Sequence, residues 1–374
     1  MKEGWSYKKL GEVCEVISGQ SPEGKFYNTE GQGTPFYQGK KEFSSKYIGN
    51  PTTWTTVETK IAEKDDLLMS VRAPVGDINF ATQRLCIGRG LAAIRTKEDI
   101  DKEYLFYFLV AQKSCIKGKE GVGFASINRK EIMDIDVQYP KDFSEQRSIV
   151  TRLDAAFSHI DALKANAEKQ VNEARKLFQA ELAECMKPKE GWEEKKLGNI
   201  CKVINGRAYS KNEMLKSGKY RLLRVGNFFT NESWYYSNLE LEEDKYCNNG
   251  DLLYAWSASV GPRIWNGEKV IYHYHIWKMV CSHIIDKYFL YYWLDSDELK
   301  KQTMTNLHGT TMAHITKGII EAANVNYPSI EKQHAIVSHL DSLSSTIRKL
   351  EELQQKTIAE CDALKQAMLK EVFE

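Results

Sequence analysis

Apolar residues along this chain follow two textures, and the pair of textures occurs twice. Short apolar runs bounded by Gly, Pro and Asp, such as Val13 to Ser18, Leu67 to Val71 and Ile135 to Val137, predict β-strands. The aromatic run Tyr104-Leu105-Phe106-Tyr107-Phe108-Leu109 predicts an amphipathic helix, and Tyr288-Phe289-Leu290-Tyr291-Tyr292-Trp293 repeats it. After Tyr139-Pro140, and again after Tyr327-Pro328, the spacing changes to alternating threes and fours. Ile149, Leu153, Ala156, Ile160 and Leu163 form one stripe; Ile336, Leu340, Leu343, Ile347 and Leu350 form another in the same phase. The stripes resume with Ala174 and Leu177, and with Cys361, Leu364 and Met368. Neither Pro nor Gly interrupts Lys141 to Lys187 or Ser329 to Glu374. Two single helices of about 40 residues, roughly 60 Å long each, are therefore expected. A stripe of that length exceeds what one small domain can cover, so the two helices are expected to pair along a heptad seam. The softer middle of that seam holds Gln170, Gln354 and Thr357.

The second occurrence is a true repeat. Glu3-Gly4-Trp5, Lys8-Lys9-Leu10-Gly11, Cys14, Val16-Ile17 and Gly19 align without a gap on Glu190-Gly191-Trp192, Lys195-Lys196-Leu197-Gly198, Cys201, Val203-Ile204 and Gly206. At the same offset, Gln146, Ile149-Val150 and Leu153-Asp154 return as Gln333, Ile336-Val337 and Leu340-Asp341. Asp66-Leu67-Leu68 with Val75-Gly76 likewise matches Asp251-Leu252-Leu253 with Val260-Gly261, whereas the segments between such landmarks diverge. The fold class predicted is α+β: two similar mixed α/β domains joined by two long helices that form an antiparallel coiled coil, an internal pseudo-two-fold repeat. The domains are expected at residues 1–144 and 188–330 and the helices at 145–187 and 331–374.

Charge adds little. The net charge is +1, and the two globular segments carry 21 basic against 20 acidic side chains (1–144) and 18 against 16 (188–330). A polyanion would have to be bound by local placement of a few cations or with help from a partner. The eight cysteines show no CxxC pair, and Cys14 and Cys201 read as one duplicated, buried small apolar position. No apolar leader or run of membrane-spanning length occurs, which predicts a reduced, cytoplasmic protein.

Catalytic chemistry is not encoded in any recognisable motif. Gly19 to Lys25 fits G-x-x-x-x-G-K, but Phe26 follows where a phosphate loop needs Ser or Thr. His273-Tyr274-His275, with His283 further on, lacks further ligands at metal spacing. No nucleophile elbow, zinc-protease motif or adenine-methyltransferase catalytic loop is present. No catalytic residue, no metal ligand and no bound cofactor are expected.

The Gly-Trp…Leu-Gly opening of each half and the Gln-x-x-Ile-Val-x-x-Leu-Asp start of each long helix resemble the DNA-specificity subunit of type I restriction–modification systems. The resemblance covers the whole chain. It implies a non-catalytic subunit with two target-recognition domains, each reading one half of a bipartite, asymmetric site in double-stranded DNA. It further implies two methyltransferase subunits and two endonuclease/translocase subunits as partners, with S-adenosylmethionine, ATP and Mg bound by those partners, and no membrane. Domains one turn of B-DNA apart, about 35 Å, could enter successive major grooves. The runner-up is a helical scaffold protein that binds no DNA.

On that reading, bases are expected to meet the divergent loops. Gln20, Ser21, Gln38, Lys40, Arg72 and Arg89 are the candidates in the first domain; Arg207, Tyr209, Arg224, Asn227, Trp256 and Ser257 are those in the second. Arg pairs favourably with guanine and Gln with adenine. A second shared loop, Ala125-Ser126-Ile127-Asn128-Arg129 against Ala313-His314-Ile315-Thr316-Lys317, offers cations Arg129 and Lys317 to phosphate, with Ser126, Asn128, His314 and Thr316 near a groove. The expected contacts of the helix pair are Ile149, Leu153, Ile160, Leu163 and Leu177 with Ile336, Leu340, Leu343, Ile347, Leu350, Leu364 and Met368.

Overall fold

The computed structural model describes residues 3–116, 125–229, 233–257, 259–304 and 316–374. The chain divides into two compact units, Met1–Ala167 with Gln355–Glu374, and Glu168–Gln354. Each unit thus holds one globular portion and a stretch of both long helices.

In the first unit, a four-stranded antiparallel sheet has the order Cys14–Ser18, Leu91–Thr96, Leu67–Ser70, Ile78–Phe80. A five-stranded sheet of shorter strands contains one parallel pair, Thr34–Tyr37 beside Leu85–Ile87. Trp5–Lys9 pairs with Asp136–Pro140, so the start of the domain is tied to its closing strand. The helix Lys102–Ala111 lies in the core, with the Asp101 carboxylate accepting from the Glu103 and Tyr104 amides at its N-terminus. Residues Tyr104 to Leu109 are all buried, so this helix is not amphipathic as expected but enclosed on every side.

The second unit repeats the plan. Its sheets are Cys201–Asn205, Ile276–Cys281, Leu252–Ala255, Gly261–Ile264 and, separately, Tyr235–Ser237, Tyr220–Leu223, Val270–Tyr272, Tyr246–Cys247, again with one parallel pair. Glu193–Lys196 pairs with Asn324–Tyr327, and Asp286 caps the core helix Lys287–Asp295. Cys14 and Cys201 are both buried.

The long helices run Phe143–Met186 and Ile330–Phe373. They are antiparallel within each unit. In the first, Lys164 meets Asp362 at 2.8 Å and Lys365 pairs with Asp161. In the second, Arg175 meets Glu351 at 2.6 Å, Gln354 donates to Gln170 at 2.8 Å and His339 lies 2.9 Å from Glu181. Ile149, Leu153, Ile160 and Leu340 are buried, and Ile336, Leu343, Ile347, Leu350 and Met368 are half-buried.

Leu163, Leu177 and Leu364 depart from the expected seam: they are 58%, 61% and 51% exposed. The inward positions keep a seven-residue repeat, Leu153, Ile160, Ala167 and Ala174 alternating with Phe157, Lys164, Val171 and Phe178. The second row therefore lies one residue after the expected one, and Lys164, Phe178 and Lys365 are more buried than the leucines before them. The lysines lay their stems along the seam and place their charges on Asp362 and Asp161 at its edge.

Candidate nucleic-acid interface

Each domain builds one loop platform where its two larger sheets meet, and the backbone bonds of the two platforms correspond one by one. In the first, the Gly19 amide donates to Leu91 O at 3.0 Å, Gln20 to Ile87 O at 2.9 Å, Gly88 to Tyr37 O at 2.8 Å and Val71 to Gly90 O at 3.0 Å. In the second, Gly206 donates to Ile276 O at 3.2 Å, Arg207 to Tyr272 O at 3.1 Å, His273 to Leu223 O at 2.9 Å and Trp256 to His275 O at 3.1 Å. Gln20 therefore stands where Arg207 stands, Gln38 where Arg224 stands, and Gly88-Arg89-Gly90 where His273-Tyr274-His275 stands. Arg72 corresponds to Ser257. The repeated glycine is a steric requirement, since a Cβ on Gly19 would lie 2.2 Å from Gly88 O and one on Gly206 would lie 2.3 Å from His273 O.

The side chains on this common frame differ in kind. In the first domain Ser21 Oγ donates to Gln38 Oε1 at 2.8 Å and accepts from the Arg89 amide at 3.3 Å. Gln20, Gln38 and Arg89 are exposed around that link. Arg72 is exposed beside Ser126, to which it is joined by a backbone bridge, and Ile127 donates to Val71 O at 3.1 Å. The structure thus brings Gln20, Ser21, Gln38 and Arg89 into one group, with Arg72 and Ser126 on the adjoining loop. Lys40 is drawn away from it, because its ammonium is paired with Asp77, which also holds Lys113.

The second platform is aromatic and imidazole-rich. Arg207 Nη2 donates to Glu213 Oε1 at 2.6 Å, and its guanidinium lies 5.0 Å over the Tyr209 ring. The Arg207 hydrogen bond, with the Ser210 amide next, holds the Glu213 carboxyl down to about 2. Arg224 donates to Asn227 Oδ1 at 3.3 Å and Ser233 O at 3.1 Å and lies 4.3 Å over the Tyr235 ring. Trp256 Nε1 donates to Tyr274 O at 2.8 Å, and its ring packs 5.0 Å from His275. Burial, then His275 and Arg224, holds the His273 imidazole down to about 4, so it is neutral at neutral pH.

Two expected contacts of this domain turn out to be interior. Asn227 is 3% exposed and donates to Ser233 O at 3.1 Å, which makes it a loop brace. Tyr209 is 9% exposed, wedged under Arg207 and stacked on His273, so it supports the platform from beneath. Tyr274 and His275 are the platform residues that the sequence reading did not assign. Their signal is positional: they directly precede the strand that pairs with the Gly206 strand, as Arg89 and Gly90 do in the first domain.

The second shared loop mostly serves helix starts. Asn128 Oδ1 accepts from the Glu131 amide at 3.0 Å and Glu131 Oε2 accepts from the Asn128 amide at 2.9 Å, a capping box on Arg129–Met133. Asn128 is therefore a cap, and Arg129 Nε donates to Val16 O at 2.8 Å, anchoring the turn to a strand. Thr316 caps Lys317–Ala322, and Lys317 lies 3.5 Å from Glu321. His314 lies outside the described residues. The loop from Gly19 to Lys25 leads through a single turn to the strand Tyr27–Asn28, not to a helix whose amides could hold phosphate. No Cys, Asp or Glu among the described residues joins His273 and His275 in a metal-ligand group.

Comparison with known proteins agrees with this duplicated plan. The "Type I restriction modification DNA specificity domain" family matches residues 2–173 and again 189–359. The putative type I restriction enzyme MjaX specificity subunit of Methanocaldococcus jannaschii is 41% identical over 182 residues, 46% of this chain and 41% of that protein. The MjaVIII specificity subunit of the same organism is 24% identical over 378 residues, 92% of this chain and 87% of that protein. Among solved structures, a chain from work on assembly and conformational transition of the type I R-M system has a TM-score of 0.81 at 20% identity, covering 100% of this chain and 98% of that one. The HsdS subunit from Thermoanaerobacter tengcongensis has a TM-score of 0.59 at 19% identity, covering 100% and 97%. With the family pattern present in both halves, each built on the same loop frame, the chain belongs to the type I restriction modification DNA specificity family, and carries that domain twice.

Proposed function

We propose that this chain gives a type I restriction–modification complex its DNA sequence, each platform reading one half of a bipartite, asymmetric duplex site. The observation that carries this is the shared backbone frame with unlike side chains. Equal frames approach DNA in the same way, and unequal side chains, Gln20/Gln38/Arg89/Arg72 against Arg207/Arg224/Tyr274/Ser257, ask for different bases. Trp256 backs the second set, and Ser21 and Ser126 complete the first. Arg129, tied to the strand at Val16, and Lys317, its counterpart in the repeat, contact phosphate.

The chain is a specificity subunit and not itself an enzyme. Two methyltransferase subunits dock on the helix pair, which sets the spacer between half-sites, and two endonuclease/translocase subunits join them. S-adenosylmethionine, ATP and Mg belong to those partners. The near-neutral charge fits a shared phosphate clamp, with the partners contributing cations. No helix among the described residues is long and apolar enough to cross a membrane, in keeping with work in the cytoplasm.

The test is to assemble the chain with its methyltransferase subunits, methylate a pool of random duplexes and sequence the modified molecules. A two-part motif of fixed spacing is expected, with first-platform substitutions altering only one part. Four residues inserted near Ala167 should lengthen the helix by about 6 Å and change the spacing but not the bases. A complex that methylates without regard to sequence, or whose bases change with the insertion, overturns the assignment.

A further inference from the structure

A group of metal-ligand type lies away from both platforms, on the long helices of the second unit. Glu181 and Cys185 are one turn apart on Phe143–Met186, so they share a face. His339 faces them from Ile330–Phe373. His339 Nε2 is 2.9 Å from Glu181 Oε1, Cys185 Sγ is 3.7 Å from the same oxygen, and all three atoms lie within 4.8 Å of one another.

We propose that Glu181, Cys185 and His339 bind one zinc-class dication that ties the two helices together in this unit. Zinc at ordinary bond lengths of about 2.0–2.3 Å holds tetrahedral ligands roughly 3.3–3.6 Å apart. The carboxylate and imidazole need to open by a few tenths of an ångström and the sulfur to move in by up to about 1 Å, all by side-chain rotation. A mixed sulfur, nitrogen and oxygen set selects zinc or cobalt over magnesium or calcium. His339 is exposed and the other two are half-buried, which leaves a path for the ion and an open fourth position for water. Burial and the Glu181 carboxylate raise the Cys185 thiol; a dication at the same place reverses that balance and displaces the proton to solvent.

The repeat supplies an internal comparison. At the same offset the first unit has Arg152 for His339, Met368 for Glu181 and Val372 for Cys185, and these three line one groove with Ile149. Helix pairing at this level therefore needs no Glu, Cys or His. Packing alone is met by a thioether, a branched alkyl and an Arg stem, so Glu181 and His339 beside a Cys185 that also packs on the core ask for a separate reason. Their own hydrophobic neighbours, Leu182, Met186 and Leu340, already fill the core beside them.

The experiment uses the full chain, freed of metal by a chelator and kept reduced, with Co2+ as the optical probe and Zn2+ as competitor. One equivalent of Co2+ should produce a thiolate-to-cobalt charge-transfer band and tetrahedral ligand-field bands, both removed by Zn2+. Cys185→Ser should abolish the charge-transfer band, which separates it from the exposed thiol of Cys115. His339→Gln, a change at an exposed position, should leave the circular dichroism unchanged and weaken Zn2+ binding by roughly ten- to a hundredfold or more. Zn2+ should raise the unfolding midpoint of the native chain and not that of either variant. Absence of a stoichiometric charge-transfer band, or His339→Gln binding Zn2+ like the native chain, would leave only an ion pair and overturn the proposal.

Discussion

Gln146 and Gln333 make the same bonds in the two units. Gln146 Oε1 accepts from the Asp101 amide at 2.7 Å and Nε2 donates to Pro140 O at 2.8 Å; Gln333 Oε1 accepts from the Asp286 amide at 2.8 Å and Nε2 donates to Pro328 O at 2.9 Å. Both side chains are fully buried. Since Asp101 and Asp286 cap the core helices, each amide joins three things: the long helix, the closing strand and the start of the buried helix. Replacing either Gln by Ala strands a buried N–H and a buried carbonyl. A loss of about 2–4 kcal/mol in denaturant unfolding is expected for each, with an effect below about 1 kcal/mol arguing that water replaces the amide.

The exposed leucines give a second, opposite expectation. Leu163→Ala should cost less than about 0.5 kcal/mol, as surface changes do, whereas Leu340→Ala should cost about 2–5 kcal/mol because that side chain is fully buried. The same urea titration decides both. A large loss at Leu163 in the isolated chain would mean that Leu163, and not Lys164, faces the partner helix in solution.

These cases mark what the sequence could and could not reveal. The repeat, the long helices and the closing strands were legible because Gln146/Gln333, Cys14/Cys201 and Gly19/Gly206 are the same letters in both copies, each fixed by burial or by a backbone crossing that excludes a Cβ. Leu163, Leu177 and Leu364 flank the seam: the inward places beside them hold Lys164, Phe178 and Lys365, and lysines in such places do not read as core. Asn128 and Thr316 are helix caps and not groove residues, and Asn128-Arg129-Lys130-Glu131 already spells a capping box in the sequence. Gly88-Arg89-Gly90 and His273-Tyr274-His275 share no letter, so their equivalence emerges only from the amides they offer. Glu181, Cys185 and His339 are brought together by antiparallel pairing over a long separation, beyond any local motif.

The half-buried His273 is expected to make the stability of the second domain depend on pH. Its folded-state value is depressed from 6.5 to about 4, first by burial and then by His275 and Arg224. Between those values the unfolded chain takes up a proton that the folded domain refuses, so stability is present in full above about pH 6.5 and declines as the pH falls toward 4. Gly88 occupies the corresponding place in the first domain. Six of the eight tryptophans (Trp192, Trp234, Trp256, Trp265, Trp277 and Trp293) belong to the second domain and report its unfolding by fluorescence. His273→Asn should flatten the pH dependence in this window. An unchanged slope in that variant would assign it to other groups.

Arg72 and Lys40 should behave differently although both are basic loop residues of the first domain. Arg72 is exposed and has no ion-pair partner among the described residues, while the Lys40 charge is committed to Asp77. Arg72→Ala is expected to relax selection at one position of the first half-site, by about 1–3 kcal/mol of discrimination, as read from the methylated motifs of the assembled complex. Lys40→Ala should leave the motif intact. Equal loss on every duplex for Arg72→Ala would make it a phosphate contact.

Arg207 gives the sharpest test, because Gln20 occupies its station in the other domain. Glu213 fixes the Arg207 guanidinium from one side, and the Glu213 carboxyl, held near 2, stays ionised across any usual working pH. A guanidinium can offer paired donors to guanine, whereas the Gln20 amide suits adenine. Arg207→Gln should therefore weaken selection for guanine at one position of the second half-site by about 1–3 kcal/mol and leave the first half-site untouched. Glu213→Gln should blur that position while total affinity changes less, since the cation remains. Sequencing the methylated pool from both variants reads these effects directly. If Arg207→Gln lowers methylation on all duplexes alike and the second half-site keeps its guanine, Arg207 is a phosphate clamp and the pairing of stations between the two domains carries no base code.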